Sequence, residues 1–350
     1  MHRFTARLCG AALCLVLGSQ AVRAAAVAPS YTLTATVPLG APDRWDYVVF
    51  DPATQRIYVA HGTAVTVVDA TTLAVAGSLG GLDGAHGTAP VPALGKVFAD
   101  SGKTGTVTVY DASTLTPRAT IKAVGDADAM IYDAASQQVI VVGGDSASAG
   151  FIDPRTDQLT ATLPLDGSPE GVTVDGRGKL FVNLADRDEI AVVETATRRI
   201  VARWALPGCR APHGLALDPV TARLFASCPA GQMAVVDADD GREIALLPIG
   251  KGTDSAAFDP ARRLALSADG DGTIGLVAET PSGGARALGT VPTTPGARTM
   301  AIDPATGRLF IAAATVAGVE APRKPGARPH LTFVPGTLRL LVYTPQRAPQ

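Results

Sequence analysis

Short apolar runs alternate with turn residues along the whole chain, and one phrase returns several times. The stretch YVVFDPATQRIYVA (47–60) reappears as LALDPVTARLFAS (215–227), AAFDPARRLALSA (256–268) and MAIDPATGRLFIA (300–312). Each copy has a β-branched or apolar run, an Asp-Pro pair, a polar segment and a second apolar run. This pattern predicts two strands joined by a tight turn, with Pro presetting φ and Asp bonding forward into the turn. We therefore interpret the repeated Asp residues as structural.

The repeat has seven copies when the phrases are aligned on their Asp position. The aligned residues are Asp51, Val91, Asp133, Asp175, Asp218, Asp259 and Asp303, at intervals of 40 to 44 residues. Four strands can be placed in the first period, at 45–50, 56–61, 64–69 and 74–79. A period of this length with strand character is typical of propeller blades. The sequence predicts an all-β, seven-bladed β-propeller with four-stranded blades starting near 45, 86, 128, 170, 213, 254 and 298.

The last copy lacks an outer strand of its own. Its third strand, LRLLVY (338–343), is followed by only a few residues, whereas a lone strand-like segment (31–39) precedes the first copy. If that N-terminal strand completes the last blade, the ring closes and an exposed edge disappears. We therefore predict a 3+1 closure by the N-terminal strand.

Two of the repeats carry a resemblance to a known family. The phrases IYVAH…VTVVDATTL and VFADSGKTGTVTVYDASTL resemble the YVTN-repeat β-propellers, the YncE-like proteins. The resemblance covers essentially the whole chain after the N-terminal segment. It implies an exported seven-bladed propeller and supplies no catalytic motif.

The N-terminal segment favours export. Arg3 and Arg7 precede the apolar run LCGAALCLVLG and an Ala-rich stretch, which is the pattern of a secretory signal peptide. We expect cleavage after residue 26, a single domain over 27–350, no membrane span after cleavage, and a periplasmic or secreted protein. Loss of Arg3, Arg7 and Arg23 changes the formal net charge from −2 to −5, which is 27 basic minus 32 acidic residues. An acidic protein of this kind is a poor partner for nucleic acid.

Two cysteines remain after the predicted cleavage, Cys209 and Cys228. An even pair in an oxidising compartment predicts a disulfide. The bridge would fix the loop that leads into the fifth blade, and His213 lies in that loop.

An ionisable residue stands five positions before every aligned residue. The set is Asp46, His86, Asp128, Glu170, His213, Asp254 and Arg298. These positions begin the inner strands, so in a closed propeller they surround the mouth of the central channel, and we name them the channel-mouth ring.

Three interpretations of this ring stay open. The side chains can simply be solvated. They can bind a polar or cationic organic ligand through the four acids and Arg298. They can also bind a divalent metal such as Zn, Mn, Fe or Ca, with His86, His213, Asp128 and Glu170 as ligands.

A long insertion in the seventh blade (314–336) belongs to the same mouth. It carries Arg323, Lys324, Arg328 and His330 among several prolines. A lid, an arm that docks a partner and an unstructured decoration are all compatible with this composition.

Three functions follow from these patterns. The first is an exported scaffold that binds a small-molecule ligand or an exported protein partner through the mouth. The second is a metal-dependent, lactonase-like hydrolase that uses the His/Asp/Glu ring. The third is a subunit of a periplasmic redox system, although a quinone-binding propeller built on repeated tryptophans is disfavoured because the chain has only 2 Trp.

Overall fold

The fold is a ring of seven four-stranded antiparallel sheets, as the sequence predicts. The computed structural model describes residues 1–2, 30–40, 44–320 and 330–346. The predicted signal peptide, apart from its first two residues, lies outside the described residues. In the described part of the chain, no helix is both long and apolar enough to cross a membrane.

The strands are numbered in chain order, and β1 (Tyr31–Gly40) belongs to the last blade. Blade 1 contains β2 (Trp45–Asp51), β3 (Arg56–His61), β4 (Ala64–Asp69) and β5 (Val75–Gly80). Blade 2 contains β6 (Thr88–Val91), β7 (Lys96–Ser101), β8 (Thr106–Asp111) and β9 (Pro117–Lys122). Blade 3 contains β10 (Ala127–Asp133), β11 (Gln138–Gly143), β12 (Ser148–Asp153) and β13 (Gln158–Pro164). Blade 4 contains β14 (Pro169–Val174), β15 (Lys179–Leu184), β16 (Glu189–Glu194) and β17 (Arg199–Ala205). Blade 5 contains β18 (Gly214–Asp218), β19 (Arg223–Cys228), β20 (Gln232–Asp237) and β21 (Glu243–Pro248). Blade 6 contains β22 (Ser255–Asp259), β23 (Leu264–Asp269), β24 (Thr273–Glu279) and β25 (Ala285–Pro292), and the remaining strands are β26 (Thr299–Ile302), β27 (Leu309–Ala313), β28 (Val316–Glu320), β29 (His330–Phe333) and β30 (Leu338–Pro345).

The seventh blade is closed by the N-terminal strand. Its sheet order is β1-β30-β27-β26, and β1 pairs with β30 from Tyr31 opposite Pro345 to Gly40 opposite Leu338. Tyr31 is buried, and its hydroxyl donates to Asp259 Oδ2 of blade 6 at 3.2 Å. The predicted 3+1 closure is confirmed, and it removes a free sheet edge.

The blades pack through one repeated core position, seven residues after the aligned position in six blades and six residues after it in blade 4. This position is fully or almost fully buried in every blade, and its occupants are Tyr58, Phe98, Ile140, Phe181, Phe225, Leu266 and Phe310. Full burial of one such side chain contributes about 1.5–3 kcal/mol. The repeat therefore conserves size and apolar character where neighbouring sheets meet.

The repeated Asp-Pro pairs are turn elements. Asp51 accepts hydrogen bonds from the Ala53 N–H at 3.0 Å and the Thr54 hydroxyl at 2.6 Å. The Asp218 and Asp303 turns show the same two bonds. The structural interpretation of these residues is confirmed.

A basic residue five positions after the aligned residue links neighbouring blades in three places. The Arg56 guanidinium donates to the Ala112 carbonyl of blade 2, and Lys96 Nζ lies 2.7 Å from an Asp157 carboxylate oxygen of blade 3. Arg308 of blade 7 donates to the Ala70 carbonyl of blade 1 at 2.9 Å. The Arg308 side chain therefore adds a contact between the last blade and the first.

The described part of the 314–336 insertion is a two-stranded hairpin, β28 paired with β29. Arg323, Lys324 and Arg328 lie outside the described residues. The Phe333 ring packs on Trp45 with 4.8 Å between the ring centroids, so the base of the hairpin rests beside the first strand of blade 1.

Candidate functional site at the channel mouth

The seven ring residues lie where the chain passes from the outer strand of one blade into the inner strand of the next. Asp46, Asp128 and Glu170 are the second residues of their inner strands, His213, Asp254 and Arg298 immediately precede theirs, and His86 lies two residues before β6. Each of the seven lies within 4 Å of another ring residue or couples electrostatically to one. The structure therefore brings all seven predicted residues to one mouth.

The inner strands approach each other closely just after the ring positions. An added Cβ at Gly87 would lie 2.3 Å from the Asp128 carbonyl oxygen, and one at Gly171 would lie 2.2 Å from the His213 carbonyl oxygen. Backbone atoms cannot yield as a flexible side chain can, so these positions exclude every side chain. Glycine here lets successive inner strands converge on the channel axis.

One group of ring residues is centred on His86, and we name Asp46, His86 and Asp128 the His86 cluster. His86 Nδ1 lies 2.6 Å from Asp46 Oδ2 and 3.7 Å from Asp128 Oδ1. One ligand atom from each of the three residues lies within 4.8 Å of the other two. All three side chains are partly buried, which lowers the cost of replacing their hydration with a bound ion.

The surroundings shift the pKa values of His86 and Asp128. The hydrogen bond to Asp46 raises the pKa of His86, against the opposing effect of burial. Burial raises the pKa of Asp128 well above its usual range, and the nearby Asp46 and Glu170 carboxylates raise it further. Asp128 therefore keeps its proton to a higher pH than an isolated carboxyl, and a bound cation could take the place of that proton.

Residues behind His86 hold its loop in place. The fully buried Asp100 accepts hydrogen bonds from the His86 and Gly87 N–H groups, each at 2.8 Å. Gly102 lies against the imidazole edge, because an added Cβ there would be 2.8 Å from His86 Nε2. The imidazole is thus oriented with Nδ1 toward the two carboxylates.

A second group is centred on His213, and we name Glu170, His213 and Asp254 the His213 cluster. His213 Nε2 lies 3.6 Å from Glu170 Oε1 and 3.9 Å from Asp254 Oδ1. The other Asp254 oxygen forms an ion pair with Arg298 Nε at 2.7 Å. Each histidine thus stands between acidic residues from the preceding and the following blade.

The loop that carries His213 is fixed at several points. The predicted disulfide Cys209–Cys228 is present, with 5.5 Å between the two Cα atoms. The His213 N–H donates to the Ser227 carbonyl at 2.9 Å, and the buried Asn183 side chain donates to the His213 and Gly214 carbonyls at 3.0 Å each.

Sequence reasoning missed Tyr47, which reaches across the channel. Tyr47 belongs to blade 1, yet it packs against the apolar cluster of blades 3 and 4. Burial raises its pKa well above 10, and so do the Asp128, Glu170, Asp46 and Asp254 carboxylates. The phenol therefore lies among all four ring acids. One signal was available: the equivalent position in the other blades is small, namely Gly87, Ala129, Gly171, Gly214, Ser255 and Thr299.

The four predicted metal ligands do not form one contact group. His86 and Asp128 belong to the His86 cluster with Asp46, and His213 and Glu170 belong to the His213 cluster with Asp254. The His86 cluster combines one imidazole with two carboxylates, a donor set suited to Zn²⁺, Mn²⁺ or Fe²⁺.

A cavity of about 530 Å³ lies outside the ring, between blades 2 and 3. Its two lysines are already engaged, since Lys103 pairs with Asp83 at 2.8 Å and Lys122 donates to the Thr104 carbonyl at 2.7 Å. This cavity is open to solvent and its lysines already have partners, so we place the candidate site at the channel-mouth ring, where ionisable side chains converge.

The fold and the ring define a seven-bladed β-propeller with a His/Asp/Glu-lined channel mouth. Among solved structures, a chain of Kuenenia stuttgartiensis hydrazine synthase is similar, with a TM-score of 0.67 and 15% sequence identity. The match covers 77% of this chain and 92% of that chain. At this identity the likeness shows the fold alone. No family model matches the chain, and neither does any curated protein.

Proposed function

We propose that this chain is an exported binding propeller of the YVTN-repeat type, whose channel mouth takes up a divalent cation through Asp46, His86 and Asp128. The leader pattern of residues 1–26 and the disulfide support a periplasmic or secreted location. The repeat phrases support the family. In this proposal the single domain over 27–350 acts as the scaffold, and the ligand binds at the channel mouth.

The observation that carries the proposal is the geometry of the His86 cluster. Its three ligand atoms lie within 4.8 Å of one another, and they come from three different blades. Residues so far apart in sequence meet because the inner strands of successive blades lie side by side. The loop is held by Asp100 and Gly102, so the site is organised before an ion arrives.

Electrostatics favours a cation over an anion. Four carboxylates converge on the mouth, and the only permanent positive charge in the ring is Arg298, which pairs with Asp254. A metal ion must displace the proton that His86 shares with Asp46, so binding strengthens as pH rises through the raised pKa of His86.

Elemental analysis tests the proposal. Protein expressed without a histidine tag is stripped with chelator, reloaded separately with Zn²⁺ and Mn²⁺, dialysed and measured by mass spectrometry for bound metal. We expect His86→Ala to lose an ion that the wild type retains, while circular dichroism shows the same strand content. Asp83→Asn is the matched control, because Asp83 lies in the same loop and its carboxylate pairs with exposed Lys103. Equal metal content in wild type and His86→Ala would refute the site.

Hydrolysis is a second candidate, favoured by the position of Asp128. Its carboxylate is 3.7 Å from His86 Nδ1, and burial and neighbouring acids raise its pKa. In this alternative Asp46 and His86 would hold the ion, which would supply an activated water, and the Asp128 carboxylate would accept the proton of that water instead of binding the ion. A panel of 4-nitrophenyl esters and simple lactones tests this with metal-loaded protein. Turnover that vanishes in Asp128→Asn with metal retained supports hydrolysis, and no turnover by loaded wild type rejects it for these substrates.

A further inference from the structure

A pocket lies between blades 3 and 4, at the end of the propeller opposite the mouth. Its volume of about 260 Å³ is below the range of about 300–1,000 Å³ that is usual for drug-sized ligands, so it suits a small ligand. Arg155, in the turn that follows β12, and Arg198, in the turn that follows β16, both border it. Two guanidinium groups, which stay charged at any physiological pH, therefore share one small space.

Arg198 occupies a repeated position whose charge is balanced in the preceding blade. The residue four positions after the end of the third strand has a positive φ in the first six blades, and its occupants are Leu73, Leu115, Asp157, Arg198, Gly241 and Gly283. In blade 3 this residue, Asp157, forms an ion pair with Lys96 of blade 2 at 2.7 Å. In blade 4 the residue is Arg198, and the blade 3 residue equivalent to Lys96 is the uncharged Gln138. The repeat thus places a cation here without the acid that would balance it.

The side-chain hydrogen bonds of the two arginines go to uncharged oxygens. Arg198 Nε and Nη2 donate to the Gln138 side-chain oxygen at 3.2 and 2.9 Å, and Arg155 Nη2 donates to the Gln137 side-chain oxygen at 3.0 Å. In the part of the chain that the structure describes, neither guanidinium forms an ion pair with a carboxylate. A guanidinium carries more N–H donors than these bonds use, so both groups keep donors for an oxyanion.

Buried groups hold Arg198 in place. Gln138 is only 8% exposed, and its side-chain N–H donates to the Thr195 carbonyl at 3.4 Å. The Arg198 guanidinium lies over the fully buried Phe151 ring, with 5.7 Å between Cζ and the ring centroid. Its orientation is therefore set before a ligand arrives, which lowers the entropy cost of binding.

We propose that the pocket between Arg155 and Arg198 binds a phosphate group, either as the free ion or at the end of a phosphate monoester. Guanidinium groups bind phosphate through pairs of parallel N–H···O bonds, and a phosphate group has enough oxygens to bind both arginines in this way, whereas a single carboxylate does not. Asp153 also borders the pocket, so two arginines and one aspartate leave it a net positive charge of one. The site lies at the opposite end from the channel mouth and goes beyond the proposed function.

Calorimetric titration with inorganic phosphate tests the proposal on tag-free, metal-stripped protein at low ionic strength, since salt screens exposed charges. Wild type should show saturable binding. Arg155→Gln and Arg198→Gln should each weaken it about tenfold or more, because each removes charge-assisted hydrogen bonds. Arg199→Gln is the matched control, because it removes the same charge one position further on, from an exposed side chain outside the pocket. It should change the affinity less than about twofold.

Asp153→Asn should change the affinity in the opposite direction. Asp153 Oδ1 accepts a hydrogen bond from the Arg155 N–H at 2.8 Å, and an amide oxygen can accept the same bond. The variant therefore keeps the turn and removes one negative charge from the pocket, so phosphate should bind about threefold more tightly. Weaker binding in Asp153→Asn would contradict a site that is governed by the charge of this pocket.

Circular dichroism and thermal unfolding of every variant check the fold. Arg155 is exposed, so its variant remains a valid test even if Arg198→Gln does not fold. His86→Ala should bind phosphate as the wild type does, which separates this site from the metal site at the mouth.

Titrations with glycerol 3-phosphate and acetate define the ligand. Glycerol 3-phosphate that binds as tightly as phosphate supports a monoester, and binding of inorganic phosphate alone supports the free ion. Three results would overturn the proposal: no binding of either phosphate compound to wild type, binding that persists unchanged in both arginine variants, or acetate that binds as tightly as phosphate.

Discussion

The two ends of this propeller use aspartate in opposite ways. At the end where the inner strands finish, the turn end, each Asp accepts hydrogen bonds from the turn that follows. The pKa of Asp69 is held low by hydrogen bonds from Thr72, and that of Asp111 by hydrogen bonds from Ser113. At the mouth, burial and neighbouring carboxylates raise the pKa of Asp128. One repeat thus places satisfied acids at one end and mutually repelling acids at the other.

The difference shows how a repeat separates structure from function. A carboxylate that receives N–H groups from its own turn is stabilised inside the chain. Carboxylates that converge from different blades repel one another, and an added cation is the simplest way to stabilise them. Whether a repeated acidic residue has a structural or a functional role can therefore be decided only when the groups that surround its carboxylate are known.

The largest effect is expected from removing a turn-end acid. Asp259 is fully buried and bonds the Arg262 side chain at 2.7 Å and the Tyr31 hydroxyl at 3.2 Å. Asp259→Ala leaves a buried hydroxyl without its acceptor, so the free energy of unfolding should fall by about 2–4 kcal/mol in urea titrations. Metal content should not change. If the free energy of unfolding fell by less than about 0.5 kcal/mol, or if the variant lost bound metal, the distinction between a structural turn end and a metal-binding mouth would be wrong.

Asp269, which ends β23 at the mouth but outside the ring, predicts a pH effect. Burial raises its pKa from 3.8 to about 7. The folded state then binds a proton that the unfolded state has released, so stability falls as pH rises from about 4 to about 7, by at most about 1.4 kcal/mol per pH unit. Urea unfolding across this range should show a flatter profile in Asp269→Asn. If wild type and Asp269→Asn lost stability with pH in parallel, Asp269 would be excluded as the cause of the pH dependence.

At the mouth, removing a charge should weaken metal binding without weakening the fold. Asp128→Asn removes repulsion with Asp46 and Glu170, so apo stability should stay the same or rise by about 1 kcal/mol. Metal affinity should drop about tenfold or more, because one ligand is lost. Calorimetric titration of apo protein and thermal unfolding measure the two quantities. Destabilisation like that of Asp259→Ala would mean that the two ends do not differ.

The smallest effect concerns Gly102, which packs on His86. A Cβ there would meet His86 Nε2 at 2.8 Å and the Ala127 carbonyl oxygen at 3.1 Å. Gly102→Ala should turn the imidazole and lower metal affinity about threefold, close to 0.7 kcal/mol. Gly80→Ala is the control, because nothing lies within 4 Å of its added Cβ. Equal affinities in the two variants would show that the imidazole is not held by this contact.

The fold could be predicted because its determinants are local and repeated. Strand periodicity, the Asp-Pro turns and the leftover strand at 31–39 each imply the ring without knowledge of distant contacts. The channel-mouth ring followed from a fixed offset of five residues, and the disulfide from the pairing of the two remaining cysteines.

The grouping within the ring could not be predicted. Which carboxylate meets which histidine depends on side-chain orientation, set by partners such as Asp100, Asn183 and the Ala211 carbonyl. Tyr47 crosses to blades 3 and 4, a contact that no local pattern encodes. The inter-blade role of Arg56 and Arg308 likewise needs the neighbouring blade in place.

Anomalous diffraction from crystals of tag-free protein soaked in Zn²⁺, recorded on both sides of the zinc absorption edge, addresses the central claim most directly. The account predicts a peak bonded to His86 Nδ1 and to oxygens of Asp46 and Asp128, at about 2.0–2.2 Å from each. A mouth without any peak, while zinc binds elsewhere on the same molecule, would contradict it.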